Sequence, residues 1–351
     1  MKSRDQQIAI PGKGKEVALY KMHGDIASPD EVIICKDDYE RYARKHELFQ
    51  NQLGADLVSK TFLFLGFSFT DPHLDYMLGH LRSLLEDNKR EHFAVMRKAR
   101  VNKHIDETEA RKRLKYEENK QALQIEDLQR YSIQTHLIDS FDEVTDILES
   151  IERRYFSRNI FVSGSAHECE DFGMGRLRDF CVQLGERLID NKYRVISGMG
   201  LNVGDSVVKG ALLGLYHRKN LRIENYLTIR PFPRALPAGE NEEQFNTEYR
   251  KDMVSKCGVA IFIAGTSRSN MESLGVLEEY KIAISLKKTP IPIGVTGFAA
   301  RKIWETMRPD IESFYSDAVT AKMFADLNNP DLSNDQLLDV VFEIMQRVSD
   351  R

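Results

Sequence analysis

Two short apolar runs within residues 159–205, each ending in a glycine-bearing turn and separated by a helical pattern, constrain this chain more than any other stretch. Ile160, Phe161 and Val162 lead into Ser163-Gly164-Ser165-Ala166, and Tyr193 to Ile196 lead into Ser197-Gly198-Met199-Gly200, with Gly204 beyond. Between them Leu177, Phe180, Cys181, Leu184 and Leu188 recur at three- and four-residue steps, the period of a helix with one apolar face. Glycine lets backbone approach a ligand closely, and a helix N-terminus offers free N–H groups to a phosphate. Two such turns side by side at the carboxyl ends of parallel strands make a nucleotide-sized crevice.

The unit repeats downstream. Strands are expected at 159–163, 193–197, 226–230, 259–264 and 291–295, with helices at about 174–190, 205–218, 246–256 and 274–286. This alternation predicts an α/β domain with a doubly wound parallel sheet. Ser333 to Gln336 form a capping box before Leu337, Val340, Val341, Ile344 and Met345, a helix expected to close the domain.

The length of 351 residues fits two domains, divided here as 1–150 and 157–351. In the first, Glu16 to Met22 read as a strand delivering His23-Gly24-Asp25 to a turn; Val32 to Cys35 read as another, and Lys36 to Tyr42 as the start of a helix. Thr61 to Phe67 is a continuous apolar run, expected to be a strand buried on both faces. Asp71 and Pro72 then start a helix whose apolar face is Leu74, Met77, Leu78, Leu81 and Leu85. His92 to Met96 and Tyr131 to Ile138 are further strands. The charged run from Arg97 to Lys120 reads as a solvated helix bridging two domains, and Phe141 to Tyr155 as an amphipathic helix handing over to the second domain.

Composition matters for what it excludes. The net charge is −4, and acids interleave the bases, so no nucleic-acid footprint is present. Cys35, Cys169, Cys181 and Cys257 lack CxxC spacing, which predicts reduced thiols, a cytoplasmic protein and no metal site. No apolar run approaches the ~20 residues of a membrane-spanning helix, and the polar start MKSRDQQIAIPGKGK is unlike a signal peptide.

Four clusters fall at strand ends of the second domain: Gly164-Ser165; Gly198-Met199-Gly200 with Gly204-Asp205; Arg230-Pro231-Phe232-Pro233 followed by Tyr249-Arg250-Lys251-Asp252; and Thr266-Ser267-Arg268-Ser269 followed by Leu274 to Glu279. Arginine holds a phosphate through paired hydrogen bonds, and a glutamate near a helix start accepts from ribose hydroxyls or an adenine amine. Each residue alone also suits a surface ion pair; together and in this order they suit a sugar–phosphate ligand. In the first domain, His23 sits at a strand end, where a histidine can serve as a general base, and Gly66-Phe67-Ser68 ends a later strand.

The second-domain combination resembles the SLOG superfamily over about residues 158 to 310. Where the phosphoribohydrolases of that superfamily carry PGGxGTxEE, this chain has Asn270 to Glu279 without the double glycine, which favours a receptor pocket over hydrolysis. Tyr20 to Asp25 with Gly66 to Pro72 resemble a sirtuin-type NAD site. The order sirtuin-like domain, charged helix, SLOG domain is similar to the ThsA family of Thoeris anti-phage effectors along nearly the whole chain. KMHGD, KDDYE, LVSKTFLFLGFSFTDPHLDY, SGSA, RPFP, YRKDM and PIGVTGFAA carry that likeness. It implies an NAD⁺ hydrolase activated by a cyclic ADP-ribose isomer, the product of a partner TIR-domain cyclase, in a homo-oligomer of four or more copies. By position it implies His23 as catalytic, and Gly24, Asp25, Gly66, Ser68 and Asp71 as NAD contacts. Gly164, Ser165, Met199, Gly200, Arg230, Arg250, Ser267, Arg268 and Glu279 are implied as contacts to the cyclic ligand, with no metal.

A sirtuin-like site also needs a glycine-rich first βα turn and an asparagine in a TNYD-like turn before the histidine strand, and this chain carries neither. The first domain therefore reads as an incomplete, N-terminally truncated Rossmann half, leaving Thr61 to Phe67 with an uncovered edge. The alternatives are a receptor without activity, a phosphoribohydrolase on nucleoside monophosphates, and a single-strand DNA binder.

Overall fold

A computed structural model describes residues 21–27, 32–35, 37–38, 46–85, 90–101, 106–169, 171–218, 221–233, 239, 241–267 and 271–349. The chain divides into two compact units, Met1–Ile147 and Leu148–Arg351. Most of the strand expected at 16–22, most of the helix expected at 36–42, and Arg268 lie outside the described residues, as do the side chains of Leu81 and Leu85.

The first unit contains α1 (Glu47–Ser59), β1 (Leu63–Leu65), α2 (Pro72–Leu85), β2 (His92–Arg97), α3 (Glu107–Gln129) and β3 (Ile133–Ile138), followed by α4 (Glu143–Phe156), which carries the boundary between the units. Its strands form a parallel sheet in the order β1-β2-β3. Leu57, Leu74, Leu78, Ala94, Leu128 and Ile133 form its core. The start of α2 is as expected: the Asp71 carboxylate accepts from the Leu74 amide at 3.2 Å, capping the first turn.

Three expectations are corrected. The apolar run at 61–67 is not buried on both faces. Only Leu63–Leu65 is strand, and Leu63 and Leu65 are 37% and 39% exposed, because β1 is an edge strand among the described residues. Residues 32–35 are not strand; there the Ile34 and Cys35 amides donate to the Asp38 carboxylate, which holds a turn. The charged run does not bridge two domains. Its helical part belongs to α3, the crossover between β2 and β3, and two parallel strands require such a long connection.

The second unit contains β4 (Asn159–Ser165), α5 (Met174–Asp190), β5 (Arg194–Ser197), α6 (Gly204–His217), α7 (Ile223–Tyr226), β6 (Leu227–Ile229), α8 (Glu242–Ser255), β7 (Val259–Ala264), α9 (Leu274–Ser285) and β8 (Thr289–Ile293). Then come α10 (Phe298–Met307), α11 (Ile311–Tyr315), α12 (Ala321–Asp326) and α13 (Asn334–Ser349). All five strands are parallel, in the order β6-β5-β4-β7-β8, which is the doubly wound Rossmann-like arrangement. The chain runs outward from β4 through β5 to β6, then crosses to β7 on the other side. Every residue of β7 is buried, as a central parallel strand covered on both faces requires.

Two expected elements shift. The strand expected at 226–230 shortens, since Ile223–Tyr226 is helical; that expected at 291–295 begins at Thr289, and Gly294–Thr296 turn into a 3₁₀ helix. The buried Thr296 hydroxyl accepts from the Ala264 amide at 2.7 Å and donates to the Ile293 carbonyl at 2.6 Å, closing the ends of β7 and β8. The capping box forms: Ser333 Oγ accepts from the Gln336 amide at 3.3 Å and Gln336 Oε1 from the Ser333 amide at 2.9 Å. Leu337, Val341, Ile344 and Met345 of α13 are fully buried, so this helix closes the unit.

Helices α5 and α6 meet through glycines. A Cβ at Gly210 would overlap the Val182 carbonyl, and one at Gly185 the Val207 carbonyl. Backbone cannot retreat from such an overlap without moving a whole helix. Gly210→Ala is therefore expected to lower stability by about 1–3 kcal/mol. Gly175→Ala in the first turn of α5, where a Cβ meets nothing within 4 Å, is expected to be neutral or stabilising by up to about 1 kcal/mol. Urea unfolding of both variants checks this; equal effects would contradict it.

Candidate functional site

The strand order of the second unit reverses between β4 and β7, and ligands of open α/β sheets bind beside the carboxyl ends at such a switch point. There the Ser165 carbonyl accepts from the Gly265 and Thr266 amides, both at 2.9 Å, and Ser165 Oγ donates to the Thr266 carbonyl at 3.2 Å. The second glycine turn lies against the first: a Cβ at Gly200 would overlap the Gly164 carbonyl, and one at Gly164 would overlap the Ile263 carbonyl. These two glycines thus let three strand tips pack backbone to backbone. Met199 lies in the left-handed region at φ 59°, its amide donating to Ser197 Oγ at 3.2 Å, and its side chain is partly exposed on the rim.

The charged residues converge here. Arg250, on α8, donates from Nη1 to the Glu278 carboxylate at 2.7 Å, and its Nε lies 3.7 Å from Glu279 Oε1. Its guanidinium also lies 4.9 Å from the centroid of the Phe232 ring, a cation–π contact. Gly275 permits this approach, since a Cβ there would sit 2.9 Å from Arg250 Nη2. Arg250 Nε is buried with no hydrogen-bond partner among the described residues. Arg230 is ion-paired with Asp252, and its guanidinium lies over the Tyr249 ring at 4.7 Å. A hydrogen bond with Tyr249 and the Asp252 carboxylate raise the Arg230 pKa, so its charge is fixed.

Glu279 is 7% exposed and accepts a 2.5 Å hydrogen bond from Ser163 Oγ. Burial pushes its carboxyl up to about 7, against the smaller opposing effects of Ser163 and Arg250. The Ser267 amide donates to the Met271 carbonyl at 2.8 Å, and its hydroxyl accepts from the Met271 amide at 3.3 Å, so Ser267 is tied to the residues that lead into α9. Gly164, Ser165, Met199, Gly200, Arg230, Arg250, Ser267 and Glu279 thus all lie at the carboxyl end of one sheet. Ser163, Phe232 and Glu278 were not singled out as contacts. A serine among the apolar residues of β4 is the available signal for Ser163; Phe232 and Glu278 fall within the strand-end clusters, but their contacts with Arg250 join residues distant in sequence and leave no local pattern. A cavity of about 180 Å³ beside Phe156, Gly258 and Lys288 lies at the opposite end of this sheet and contains none of these groups.

In the first unit, His23 Nε2 lies 2.9 Å from Asp71 Oδ2. The capping aspartate of α2 thus also orients the turn histidine, a histidine–carboxylate pair suited to moving a proton. Gly24 at φ 95° and Gly66 at φ 63° make the turns on either side. Asp25 is held by Lys21 and by the Ala27 amide, and the Lys21 hydrogen bond lowers its pKa. The Ser68 hydroxyl is hydrogen-bonded to that of Thr70 at 2.7 Å. Among the described residues no cluster of His, Cys, Asp and Glu could hold a metal, and no helix is long and apolar enough to cross a membrane.

The buried carboxylate predicts a pH signature. A folded-state pKa near 7 lies above the ordinary value of 4.5, so the folded chain binds the proton more tightly than the unfolded chain. This stabilisation is full at low pH and is lost as pH rises from about 4.5 to about 7. Relative to Glu279→Gln, the native chain is expected to lose up to about 3 kcal/mol over that window and to change no further above it. Urea unfolding at intervals from pH 4.5 to 8 tests it; a constant difference would contradict it.

Residues 143–348 match the Sir2- and TIR-associating SLOG family, and residues 5–123 match a SIR2-like domain. The chain is 36% identical, over 98% of its length, to the NAD(+) hydrolase ThsA of Bacillus cereus (strain MSX-D12), spanning 72% of that relative. It is 38% identical over 87% of its length to that of Acinetobacter baumannii (strain 532279), spanning 64% of it. It is 34% identical over 90% of its length to that of Cytobacillus dafuensis, spanning 66% of it. The chain thus spans about two thirds of the length of these relatives. With a SIR2-like match followed by a Sir2- and TIR-associating SLOG match, and with such relatives along most of its length, the chain belongs to the ThsA family.

Proposed function

We propose that the second unit is the receptor for a cyclic ADP-ribose isomer, and that its occupancy switches on NAD⁺ hydrolysis by the SIR2-like unit. The observation that carries the receptor reading is the Arg250–Glu279 pair on one rim at the switch point, with a buried Arg250 Nε awaiting an acceptor. An unsatisfied buried donor costs about 1–3 kcal/mol, and a ligand phosphate oxygen would remove that cost. Glu279 would accept from a ribose hydroxyl or an adenine amine. Glu278 already occupies Nη1 of Arg250, so a phosphate has to share or displace that carboxylate.

The enzyme reading is supported by the His23–Asp71 pair and by relatives named NAD(+) hydrolase. The C1′–N bond to nicotinamide breaks, water adds at C1′, and His23 takes the proton from the nicotinamide ribose or the water while Asp71 steadies the imidazolium. The products are nicotinamide and ADP-ribose. The resulting NAD⁺ loss would serve anti-phage defence, with a TIR-domain cyclase as the source of the activator and a homo-oligomer of four or more copies as the working form.

Two measurements test this. Calorimetry is expected to detect binding of a cyclic ADP-ribose isomer and its weakening by about tenfold or more in Arg250→Ala, the worth of a charge-assisted hydrogen bond. No heat from any isomer on the folded chain would overturn the receptor. Nicotinamide release from NAD⁺ is expected to depend on the isomer and to vanish in His23→Ala; binding without release would leave a receptor alone.

A further inference from the structure

The tips of β1 and β2 in the first unit border an open pocket of about 330 Å³, lined by Gly66, Ser68, Arg97, Lys98, Arg100 and Phe141 among others. Helix α3 builds it. Gln121 Nε2 donates to the Arg97 carbonyl at 2.8 Å, and its Oε1 accepts from the Ala99 amide at 3.0 Å. One turn on, Gln124 Nε2 donates to the Ser68 carbonyl at 3.0 Å. One helix face therefore fixes the loops leaving both strands, so the pocket between them has a defined shape.

Its charge is one-sided. Three cations line it and no carboxylate does. Asp139, outside the lining, takes Lys98 Nζ at 2.9 Å, and its carbonyl accepts from Arg100. Glu143 beyond it accepts from the Asp139 and Ser140 amides, both at 2.8 Å. Arg97 lies over the Phe141 ring at 5.4 Å. In doubly wound folds an acid near such strand ends binds a free ribose 2′-hydroxyl, whereas an arginine accommodates a 2′-phosphate. A cavity of this size suits a nucleoside rather than a whole dinucleotide.

We propose that this pocket receives the adenosine end of the dinucleotide and that Arg97 and Arg100 bind a phosphate on its 2′-oxygen, so the first unit holds NADP⁺ more tightly than NAD⁺. This rests on reading the first unit as a dinucleotide site. The test uses non-hydrolysable end products, ADP-ribose and 2′-phospho-ADP-ribose, titrated by calorimetry into the Arg250→Ala chain so that the second unit contributes least. The 2′-phosphorylated form is expected to bind about tenfold tighter. In the chain that also carries Arg97→Gln and Arg100→Gln, both exposed positions, the two affinities should converge while ADP-ribose shifts by no more than about twofold. Equal affinities before those substitutions overturn the proposal and leave the dinucleotide reading standing. Inorganic phosphate competing as well as 2′-phospho-ADP-ribose also overturns it, since the pocket would then be a bare anion site. Binding of neither nucleotide overturns both.

Discussion

Removing the Glu279 carboxylate from water costs several kcal/mol unless neighbours replace its hydration, and the second unit supplies those neighbours from two other segments. Ser163 comes from the tip of β4, Arg250 from α8, and Glu279 itself from the second turn of α9. None is near another in sequence. Only the parallel sheet, which sends β4 and β7 to the same end and starts α9 from the loop beyond, brings them within reach. The raised pKa records that this compensation is incomplete: burial outweighs the Ser163 hydroxyl and the guanidinium. A site that holds a carboxyl half-charged near neutrality, beside an arginine with an unsatisfied Nε, is poorly justified as scaffold. A ligand offering one anionic oxygen and one hydroxyl would satisfy both groups at once.

Close backbone packing makes that geometry possible. Gly164 and Gly200 touch each other rather than merely leaving room for a ligand, and Gly275 lets Arg250 lie against the start of α9. The rings of Phe232 and Tyr249 then cover the two guanidiniums, whose positions are also fixed by ion pairs to Glu278 and Asp252. The first unit uses the same economy differently: Asp71 both caps α2 and holds His23, so the residue that starts a helix also orients the candidate base.

Much of the second unit was legible because parallel β/α repeats write themselves as apolar runs and three-to-four-residue periods. The strand–helix order, the capping box at Ser333 and the rim positions of Arg250 and Glu279 were all readable that way. The Ser163–Glu279 hydrogen bond was not, since it joins residues more than a hundred positions apart and depends on sheet order, which local patterns do not encode. In the first unit the Thr61–Phe67 run reads as a strand buried on both faces because its side chains are mostly apolar. The structure makes β1 an edge among the described residues and leaves Leu63 and Leu65 part-exposed. The α3 charges misled in another way: a crossover that buries little besides Leu128 carries the same pattern as a solvated linker.

The central claim is that a nucleotide is gripped at the carboxyl end of the second sheet. Amide hydrogen exchange with and without a cyclic ADP-ribose isomer tests it most directly. The account predicts slower exchange in the turn at 198–204, in the loop at 265–267 and in the first turns of α9, with no change at 258–259 and 287–289 at the other end of the sheet. Protection confined to that other end, or absent under saturating ligand, would contradict it.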